Sequence, residues 1–470
     1  MLSRTRLESD SIGTMEVPEE AYYGVQTLRA KQNFSITGNR LHPAFIKNLA
    51  KVKKASAITN RGGMMLEAEA AEAIVRACDE IIKGRFAEEF IVDAIQGGAG
   101  TSANMNINEV VANRANEILG GRKGDYSRVH PNDHVNMAQS TNDVIPTAGK
   151  LTVLDLLKPL VRELGRLEME LKIKAEEFDD VIKMGRTQLQ DAVPMRLGQT
   201  FHGYASMVAR DKKRIQDVYK EMYVVNLGGT AIGSAINVSD TYLQNVVPNL
   251  SKITGYPLEQ ANDLFDSTEN LDGFVWVSGA VKICAVNLSK MCNDLRLLSS
   301  GPKTGFGEIN LPAKQNGSSI MPGKVNPVIP EVVTQVAFHV VGHDTTITMA
   351  AEAGQMELNA FEPVVFYNLF ESISILKEAV ETLTDNCISG ITANRERCKE
   401  LLEGSTGVAT ALCPYIGYKK SADIAKAALK TGKTVRELVL EEKLMSEREL
   451  RKVLDPYTMT VGIEEVKKAI

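Results

Sequence analysis

A stripe of leucines that follows Pro146 is the feature that most restricts how this chain can fold. The leucines recur at alternating spacings of three and four residues, and one alanine and one phenylalanine extend the stripe: Leu157, Leu160, Leu164, Leu167, Leu171, Ala175 and Phe178. This spacing places all of them on one side of an α-helix. Such an apolar side has to be covered, either by a partner helix in a long bundle or by an ordinary protein core. Pro159 lies within the stripe and predicts a bend there or the true start of the helix.

Most of the remaining chain also favours helix over strand. Apolar residues recur with helical spacing at 328–348 and again at 363–383, where Pro363 fits the first turn of a helix. Strand-like runs are few and short, with examples at 90–92 and 223–225. The pattern therefore predicts a mainly α-helical protein with a long central bundle.

The domain boundaries are predicted from length and from turn-forming residues. A chain of 470 residues corresponds to about three domains. Turn-forming residues cluster at 130–133 and at 389–394. We therefore predict a mixed, mostly helical N-terminal domain over 1–140, a central long-helix domain over 141–393, and a small helical C-terminal domain over 394–470.

Composition and charge exclude several classes of protein. Apolar residues make up 44% of the chain, which is enough to bury a core and argues against a disordered protein. The 54 Lys and Arg residues against 59 Asp and Glu leave no basic excess for binding nucleic acid. No run of about 18 apolar residues is present to span a membrane, and the charged N-terminal sequence does not resemble a secretory signal. None of the six cysteines forms a C-x-x-C pair, which favours free thiols and a cytoplasmic location.

Four short segments rich in Ser, Thr, Asn and Gln are the candidates for a functional site. They occupy 97–104, 139–143, 185–191 and 317–327, and each precedes a helix-like run. Side chains of these types cap helix N-termini, where free N–H groups and the helix dipole attract anions. Taken singly, each segment fits an ordinary cap or loop. Together they predict a pocket of neutral hydrogen-bond donors plus one cation, Lys324, which suits a small polycarboxylate.

The segment at 317–327 is the most specific of the four. Gly317 and Gly323 allow its backbone to move, and Pro322 and Pro327 stiffen it at two points. A loop of this kind that carries two serines and a lysine predicts a lid that brings reactive groups over a bound substrate. A serine can act as a base only if its oxyanion is stabilised, which backbone N–H groups and an ammonium can do.

Three further motifs match known sites only in part. A glycine pattern at 98–103 fits the fingerprint of NAD-dependent dehydrogenases, but repeated βαβ alternation is missing. The S-x-x-K, S-T-N and K-T-G elements stand in the wrong order for a penicilloyl-serine enzyme. His339 and His343 have the spacing of metal-binding histidines, yet Val340 replaces the glutamate of H-E-x-x-H. A core or interface role is therefore favoured for the two histidines.

The segment 317–327 reads Gly-Ser-Ser-Ile-Met-Pro-Gly-Lys-Val-Asn-Pro and resembles the signature of the fumarase/aspartase superfamily. The other three polar segments resemble that family's remaining active-site regions, and the similarity extends from Arg6 to the C-terminal segment. The resemblance implies a mainly helical, three-domain subunit whose central helices join a twenty-helix core in a homotetramer. It also implies active sites that are each built from three subunits, and a cofactor-free β-elimination that releases fumarate.

Residue by residue, the resemblance implies a serine base and a ring of donors. Ser318, as an oxyanion, removes a proton from Cβ of the substrate and an aci-carboxylate intermediate follows. Ser319 orients the loop, and Gly317 and Gly323 are its hinges. The residues implied to hold the substrate are Thr101, Ser140, Thr141 and Lys324 at the β-carboxylate, with Asn326 nearby, and Asn142, Thr187 and Gln188 at the α-carboxylate and amine. No metal ligand and no cofactor are implied in this site, and activation by a divalent cation is left open.

Within the family, several positions favour loss of ammonia from L-aspartate over loss of water from malate. Gln188 stands where the hydratases carry a histidine, and Thr141 stands where they carry a second serine. The segments 21–24, 355–359 and 362–363 favour the same branch. Expelling hydroxide needs a general acid, whereas the amine of aspartate is already protonated and leaves as ammonia. The chain is thus predicted to be a carbon–nitrogen lyase that acts on a small molecule, with no nucleic-acid or membrane partner.

The sequence also allows alternative functions. The nearest alternative is class II fumarate hydratase. Argininosuccinate and adenylosuccinate lyases share the loop at 317–327 but not the other segments. A non-catalytic crystallin of the same superfamily would have no need of an intact loop, and an NAD-dependent dehydrogenase would need a nicotinamide.

Overall fold

The computed structural model describes residues 4–455 and 457–460. These residues form two compact units. The first unit contains the described residues up to Val161 together with 213–283 and 338–377, and the second contains 162–212, 284–337 and the described residues from 378 onward. Helices begin at Thr141 and Arg395, close to the two expected domain boundaries. The division into 1–140, 141–393 and 394–470 stays a prediction.

Helices dominate the described residues, as the apolar periodicity predicted. They are α1 (Val25–Asn33), α2 (Pro43–Gly62), α3 (Ala68–Ile82), α4 (Thr101–Ile118), α5 (Thr141–Glu177), α6 (Leu197–Asp217), α7 (Tyr219–Tyr223), α8 (Asp240–Thr254), α9 (Asp266–Glu269), α10 (Asp272–Leu298), α11 (Val328–Glu352), α12 (Glu362–Asn386), α13 (Arg395–Gly404), α14 (Cys413–Ile416), α15 (Tyr418–Thr431), α16 (Val435–Glu441) and α17 (Glu447–Val453). The helices expected near 328–348 and 363–383 are α11 and α12, and Pro363 lies in the first turn of α12. The fold class is therefore mainly α.

The strands are short and pair two by two. The pairs are β1 (Thr5–Asp10) with β2 (Gly13–Pro18), β3 (Ile182–Thr187) with β4 (Gln190–Arg196), β5 (Val224–Val225) with β6 (Glu259–Gln260), and β7 (Ile309–Asn310) with β8 (Thr392–Ala393). The strand-like run at 223–225 contributes β5, but the run at 90–92 forms no strand. The residue that follows it, Asp93, instead accepts hydrogen bonds from the backbone N–H groups of residues 36–38. Those backbone donors are thus satisfied by a side chain, not by a neighbouring strand.

The leucine stripe lies on α5 and is buried within a single chain. The leucines at 157, 160, 164, 167 and 171 are fully inaccessible to solvent, and Phe178 is 1% exposed. Their partners therefore come from this chain, so the stripe by itself does not require a second subunit. Both Pro146 and Pro159 lie inside α5, which begins at Thr141. The interpretation of Pro159 as the start of the helix was wrong.

Within the part of the chain that the structure describes, one helix, α10, is long and apolar enough by length and composition to cross a membrane. Just over half of its most apolar window, 56%, is buried inside the protein, as in core helices of water-soluble proteins. Lys282 and Lys290 also interrupt its apolar sequence. Apolar side chains remain exposed on α10 and on the next helix, α11. We call this set the α10/α11 apolar surface: Trp276, Ile283, Phe338, Val341 and Met349.

Candidate functional site

The first polar segment forms the tight turn from which α4 begins. Gly98, Ala99 and Gly100 all have positive φ, at 89°, 55° and 87°. Two of these three residues are glycines, which adopt this conformation without steric cost. Thr101 is the first residue of α4, is exposed, and donates its hydroxyl to the Gly98 carbonyl at 2.7 Å. The segment therefore presents a helix N-terminus, as predicted.

The second polar segment forms the start of α5 and is held by a buried carboxylate. Asp143 accepts hydrogen bonds from the backbone N–H groups of Ser140 at 2.9 Å, Gly228 at 3.0 Å and Thr230 at 3.1 Å. The side-chain amide of Asn142 donates to the carbonyl of Ala231 at 2.7 Å. Asp143 thus fixes Ser140 and the loop at 228–230 against each other.

A layer of buried amides and one lysine supports this segment from α2 and α4. Asn104 donates to the Thr141 hydroxyl at 3.2 Å and to the Asn136 side-chain oxygen at 3.1 Å. Lys53 donates to the same Asn136 oxygen at 2.8 Å and to the Gln139 side-chain oxygen at 3.0 Å. We did not predict these supporting residues. The available signal is the run of asparagines on α4 at 104, 106 and 108, since amides buried on a helix need partners.

Burial moves the pKa values of Lys53 and Asp143 toward each other. Burial lowers the pKa of Lys53 to about 7, although the charge of Asp143 acts against this shift. Burial likewise raises the pKa of Asp143 to about 6, against the hydrogen bonds from three backbone N–H groups and the charge of Lys53. Both groups therefore change protonation near neutral pH, beside the residues implied to hold substrate.

We expect Lys53→Met to change how stability depends on pH. Above pH 7 the folded protein holds Lys53 neutral, whereas the unfolded chain keeps the proton up to the ordinary pKa of 10.5. The unfolded state binds the additional proton in this window, so the contribution of Lys53 to stability rises with pH. Between about pH 7 and 10, the free energy of unfolding of the wild type should therefore increase relative to that of the variant. The increase should be up to about 1.4 kcal/mol per pH unit.

Urea unfolding of both proteins at several pH values measures this difference. Lys47→Met is the matched control, because Lys47 is exposed on the same helix. Its unfolding free energy should follow the wild type at every pH. Parallel pH profiles for the wild type and Lys53→Met would contradict the shifted pKa.

The third polar segment forms the turn of a β-hairpin and does not precede a helix, so that expectation was wrong. Thr187 ends β3 and pairs with Gln190 at the start of β4. Between them, Gln188 and Leu189 have φ of 54° and 63°. Two successive positive φ values are typical of the tight two-residue turns that match strand twist. Residues other than glycine rarely adopt a positive φ. The turn therefore holds the backbone of Gln188 in a strained conformation, and Gln188 is exposed.

A buried ion cluster anchors the base of this hairpin. Glu308 is fully buried and lies 2.9 Å from the Arg186 guanidinium and 3.1 Å from the Lys183 ammonium. The Arg186 guanidinium also lies over the ring of Phe306, at 4.2 Å from the centroid. One carboxylate thus pairs with two cations on β3. The sequence contains no local signal for this cluster, because Glu308 lies far along the chain from β3.

The fourth polar segment is a loop in which the oxygen of Ser318 accepts backbone hydrogen bonds. The N–H groups of Ile320 and Met321 donate to Ser318 Oγ at 3.2 and 3.0 Å. Donors arranged in this way stabilise negative charge on the oxygen that they face. A serine that acts as a base requires such N–H groups, and the loop supplies two of them.

The two glycines of this loop are needed for different reasons. A Cβ atom on Gly317 would lie 2.1 Å from the carbonyl oxygen of Lys324, so only glycine allows the loop ends to approach this closely. The Asn326 amide closes the same end by donating to the Gly317 carbonyl at 2.7 Å. Gly323 has φ of 82°, in the left-handed region. Their role as hinges stays a prediction.

The predicted site residues fall into two groups, one in each compact unit. Thr101, Ser140, Thr141 and Asn142 belong to the first unit; the second contains Thr187, Gln188, Ser318, Ser319, Lys324 and Asn326. Within the first group, Asn104 links α4 to Thr141, and within the second, one loop carries Ser318, Ser319, Lys324 and Asn326. None of these residues is a His, Cys, Asp or Glu, the types that most often ligate metals.

The chain is similar to known protein families and to individual enzymes along most of its length. Residues 13–342 match the family described as Lyase, and residues 408–461 match the family described as Fumarase C C-terminus. An aspartate ammonia-lyase from Bacillus sp. is 52% identical over 460 residues, which are 98% of this chain and 98% of that protein. An aspartate ammonia-lyase from Pseudomonas aeruginosa is 53% identical over 461 residues, with 97% of each chain covered.

Solved structures of lyases are also similar to this chain in fold and sequence. A structure described as a fumarate lyase:delta crystallin from Brucella melitensis bound to cobalt has a TM-score of 0.95 and 50% identity, with 98% of this chain and 100% of that chain covered. A class II fumarase from Schistosoma mansoni has a TM-score of 0.93 and 36% identity, with 97% and 99% covered. With two thirds of the chain matched to the lyase family and relatives half identical along nearly its whole length, this protein is a member of the fumarase/aspartase superfamily of lyases.

Proposed function

We propose that this chain is an aspartate ammonia-lyase, a carbon–nitrogen lyase that converts L-aspartate reversibly to fumarate and ammonia. Relatives that carry this name are 50–53% identical over nearly the full length. The candidate residues also suit the substrate, because they are neutral donors with one cation, and a dicarboxylate needs many donors. The observation that carries the proposal is the loop at 317–327, where two N–H groups face the oxygen of Ser318.

The reaction begins with removal of a proton from Cβ of aspartate by the Ser318 oxyanion. The electron pair of the broken C–H bond moves into the adjacent carboxylate and gives an aci-carboxylate dianion. Lys324, Thr101, Ser140 and Thr141 stabilise that charge as it develops, and preorganised donors contribute about 10²–10³-fold each in rate.

The second step expels the amine. The electron pair returns to form the C=C bond as the C–N bond breaks, and the protonated amine leaves as neutral ammonia. Gln188 and Thr187 hold the α-carboxylate and amine, and Asn142 assists them. Gln188 donates a hydrogen bond but transfers no proton, which suits a leaving group that needs no general acid.

A direct assay tests the proposed reaction. The protein is incubated without added cofactor with L-aspartate or, separately, with L-malate, and fumarate is followed by its ultraviolet absorbance. We expect fumarate from aspartate and little or none from malate. Activity on malate alone would instead support a fumarate hydratase, and inactivity on both would contradict a lyase of either branch.

We expect Lys324→Ala to damage both substrate binding and turnover. Its ammonium is the single cation among the residues proposed to hold the β-carboxylate, and the same carboxylate gains charge in the intermediate. Loss of this contact should raise KM and lower kcat together. Steady-state kinetics with L-aspartate measure both constants. Lys303→Ala is the control, because Lys303 is an exposed lysine outside this loop, and an unchanged KM in Lys324→Ala would argue against a carboxylate contact.

The active unit is proposed to be a homotetramer in which three subunits build each active site. Two observations support association. The candidate residues are divided between two compact units of one chain. The α10/α11 apolar surface also exposes large side chains, including Phe338 at 68% and Met349 at 67%, which a monomer would leave in water.

The remaining features of the proposal concern cofactor and location. The proposed steps use only protein side chains, so no cofactor is required; activation by a divalent cation is left open. The six cysteines are free thiols, and five of them are buried. Free thiols suit the reducing cytoplasm, where we place the protein.

A further inference from the structure

Three side chains of the types that ligate transition metals meet between α11 and α12 in the first unit. His339 and His343 project from α11, and Glu371 projects from α12. One ligand atom from each of the three lies within 4.8 Å of the others. The Nε2 atom of His339 is 3.8 Å from one Glu371 oxygen, and Nε2 of His343 is 3.9 Å from the other. Two imidazoles and a carboxylate therefore converge on a common point.

We propose that His339, His343 and Glu371 bind a divalent ion of the zinc type, which links α11 to α12. The donor atoms of a tetrahedral zinc ion lie about 3.3–3.5 Å apart, given Zn–N and Zn–O bonds of about 2.0–2.2 Å. The separations of 3.8 and 3.9 Å, each to a different Glu371 oxygen, exceed this by a few tenths of an ångström, and the three ligand atoms all lie within 4.8 Å of one another. Small rotations of the side chains bring the three donors to bonding distance, and water completes the coordination.

The surroundings of His343 already orient it as a ligand. Its Nδ1 atom lies 2.9 Å from the hydroxyl of Ser372. With a proton on Nδ1, Nε2 keeps its lone pair and faces Glu371, which is the arrangement that second-shell partners impose on metal-binding histidines. Two imidazoles with one carboxylate favour zinc-type ions over Mg²⁺ or Ca²⁺, which prefer oxygen ligands alone.

The cluster is set apart from the α10/α11 apolar surface. At 3.6 residues per turn, His339 and His343 lie about 100–140° around α11 from Phe338. The imidazole of His339 is 54% exposed and that of His343 is 12% exposed, so an ion reaches the site from the His339 side.

Binding of Co²⁺ tests the site directly. Full-length protein without a polyhistidine tag is first treated with EDTA and then titrated with Co²⁺, whose visible absorption reports nitrogen and oxygen ligands. We expect one ion per chain and competition by Zn²⁺. His339→Ala and Glu371→Gln should each weaken binding by at least about 100-fold. Ser372→Ala should weaken it by about 10–100-fold, because it removes only the group that orients His343.

His202→Ala is the matched control, because His202 is an exposed histidine on α6, outside the cluster. It should bind Co²⁺ as tightly as the wild type. Zn²⁺ should also raise the melting temperature of the wild type and of His202→Ala, but not of His339→Ala. Equal binding by the wild type, His339→Ala and Glu371→Gln would overturn the proposal. Weak binding that every variant shares would do the same, since it would show an adventitious ion only.

Discussion

Ser318→Ala should lose at least about 10³-fold in kcat for fumarate formation from L-aspartate. The variant lacks the proposed base, while Ser319 is predicted to orient the loop and Lys324 to hold the β-carboxylate as a cation. Ground-state binding depends on the other donors, so KM and the affinity for fumarate should change little. Steady-state kinetics and a fumarate-binding titration give the two quantities.

The neighbouring serine provides the comparison for this result. Ser319→Ala removes the same hydroxyl one residue along the loop, and its predicted role is to orient the loop and not to take the proton. Its kcat should fall much less than that of Ser318→Ala. Ser318 Oγ also accepts hydrogen bonds from the N–H groups of Ile320 and Met321, so its removal could change the shape of the loop. Unchanged fumarate binding in the titration would show that the loop keeps its shape. Near-normal turnover by Ser318→Ala would show that another group is the base.

Glu308→Gln should destabilise the protein by about 3–5 kcal/mol. The carboxylate is fully buried between the cations of Lys183 and Arg186. The amide has nearly the same shape but carries no charge, so the two mostly buried cations lose the one negative charge that faces them. The change in the free energy of unfolding is measured by urea denaturation.

A second substitution separates the charge effect from loss of packing. Lys183→Met in the Glu308→Gln background removes one of the two uncompensated cations, so the double variant should lose less stability than the sum of the single variants. Glu403→Gln, at an exposed position on α13, should stay within about 0.5 kcal/mol of the wild type. A similarly small change in Glu308→Gln would show that the two cations do not depend on Glu308.

Glu308→Gln has a further consequence for the candidate site. Arg186 is the residue before Thr187, so the cluster fixes the strand that leads into the turn at Gln188. A looser hairpin should impair binding of the α-carboxylate more than the step at Cβ. The stability measurement and the kinetics of the same variant therefore report two effects of one contact.

The mainly helical fold and its principal helices were predictable from spacing alone. The leucines of α5 recur with the period of the helix, and all five are buried, because a helix that presents one apolar side has to cover it. α11 and α12 were predictable from their apolar spacing in the same way. The spacing did not identify what covers the stripe, since the periodicity of one helix contains no information about which segments pack on it.

The hairpin at 182–196 shows where local patterns fail. Its polar turn resembles a helix cap in composition, and the sequence therefore favoured a helix after it. Pairing of β3 with β4 decided the outcome, with positive φ at both Gln188 and Leu189. Strand pairing depends on a partner segment, and a non-glycine residue with positive φ is not predictable from propensity.

The sequence by itself determined the helix content, the glycine-containing loop that carries Ser318, and the resemblance that identified the superfamily. These features depend on residues within a few positions of one another, where covalent geometry and helix geometry determine which side chains lie together. Tertiary structure alone decided which distant groups meet: Asp143 with Gly228 and Thr230, Glu308 with Lys183 and Arg186, and Glu371 with the two histidines. Such contacts join segments that are far apart in the sequence, and the spacing of residues within one segment does not specify which distant segment packs against it.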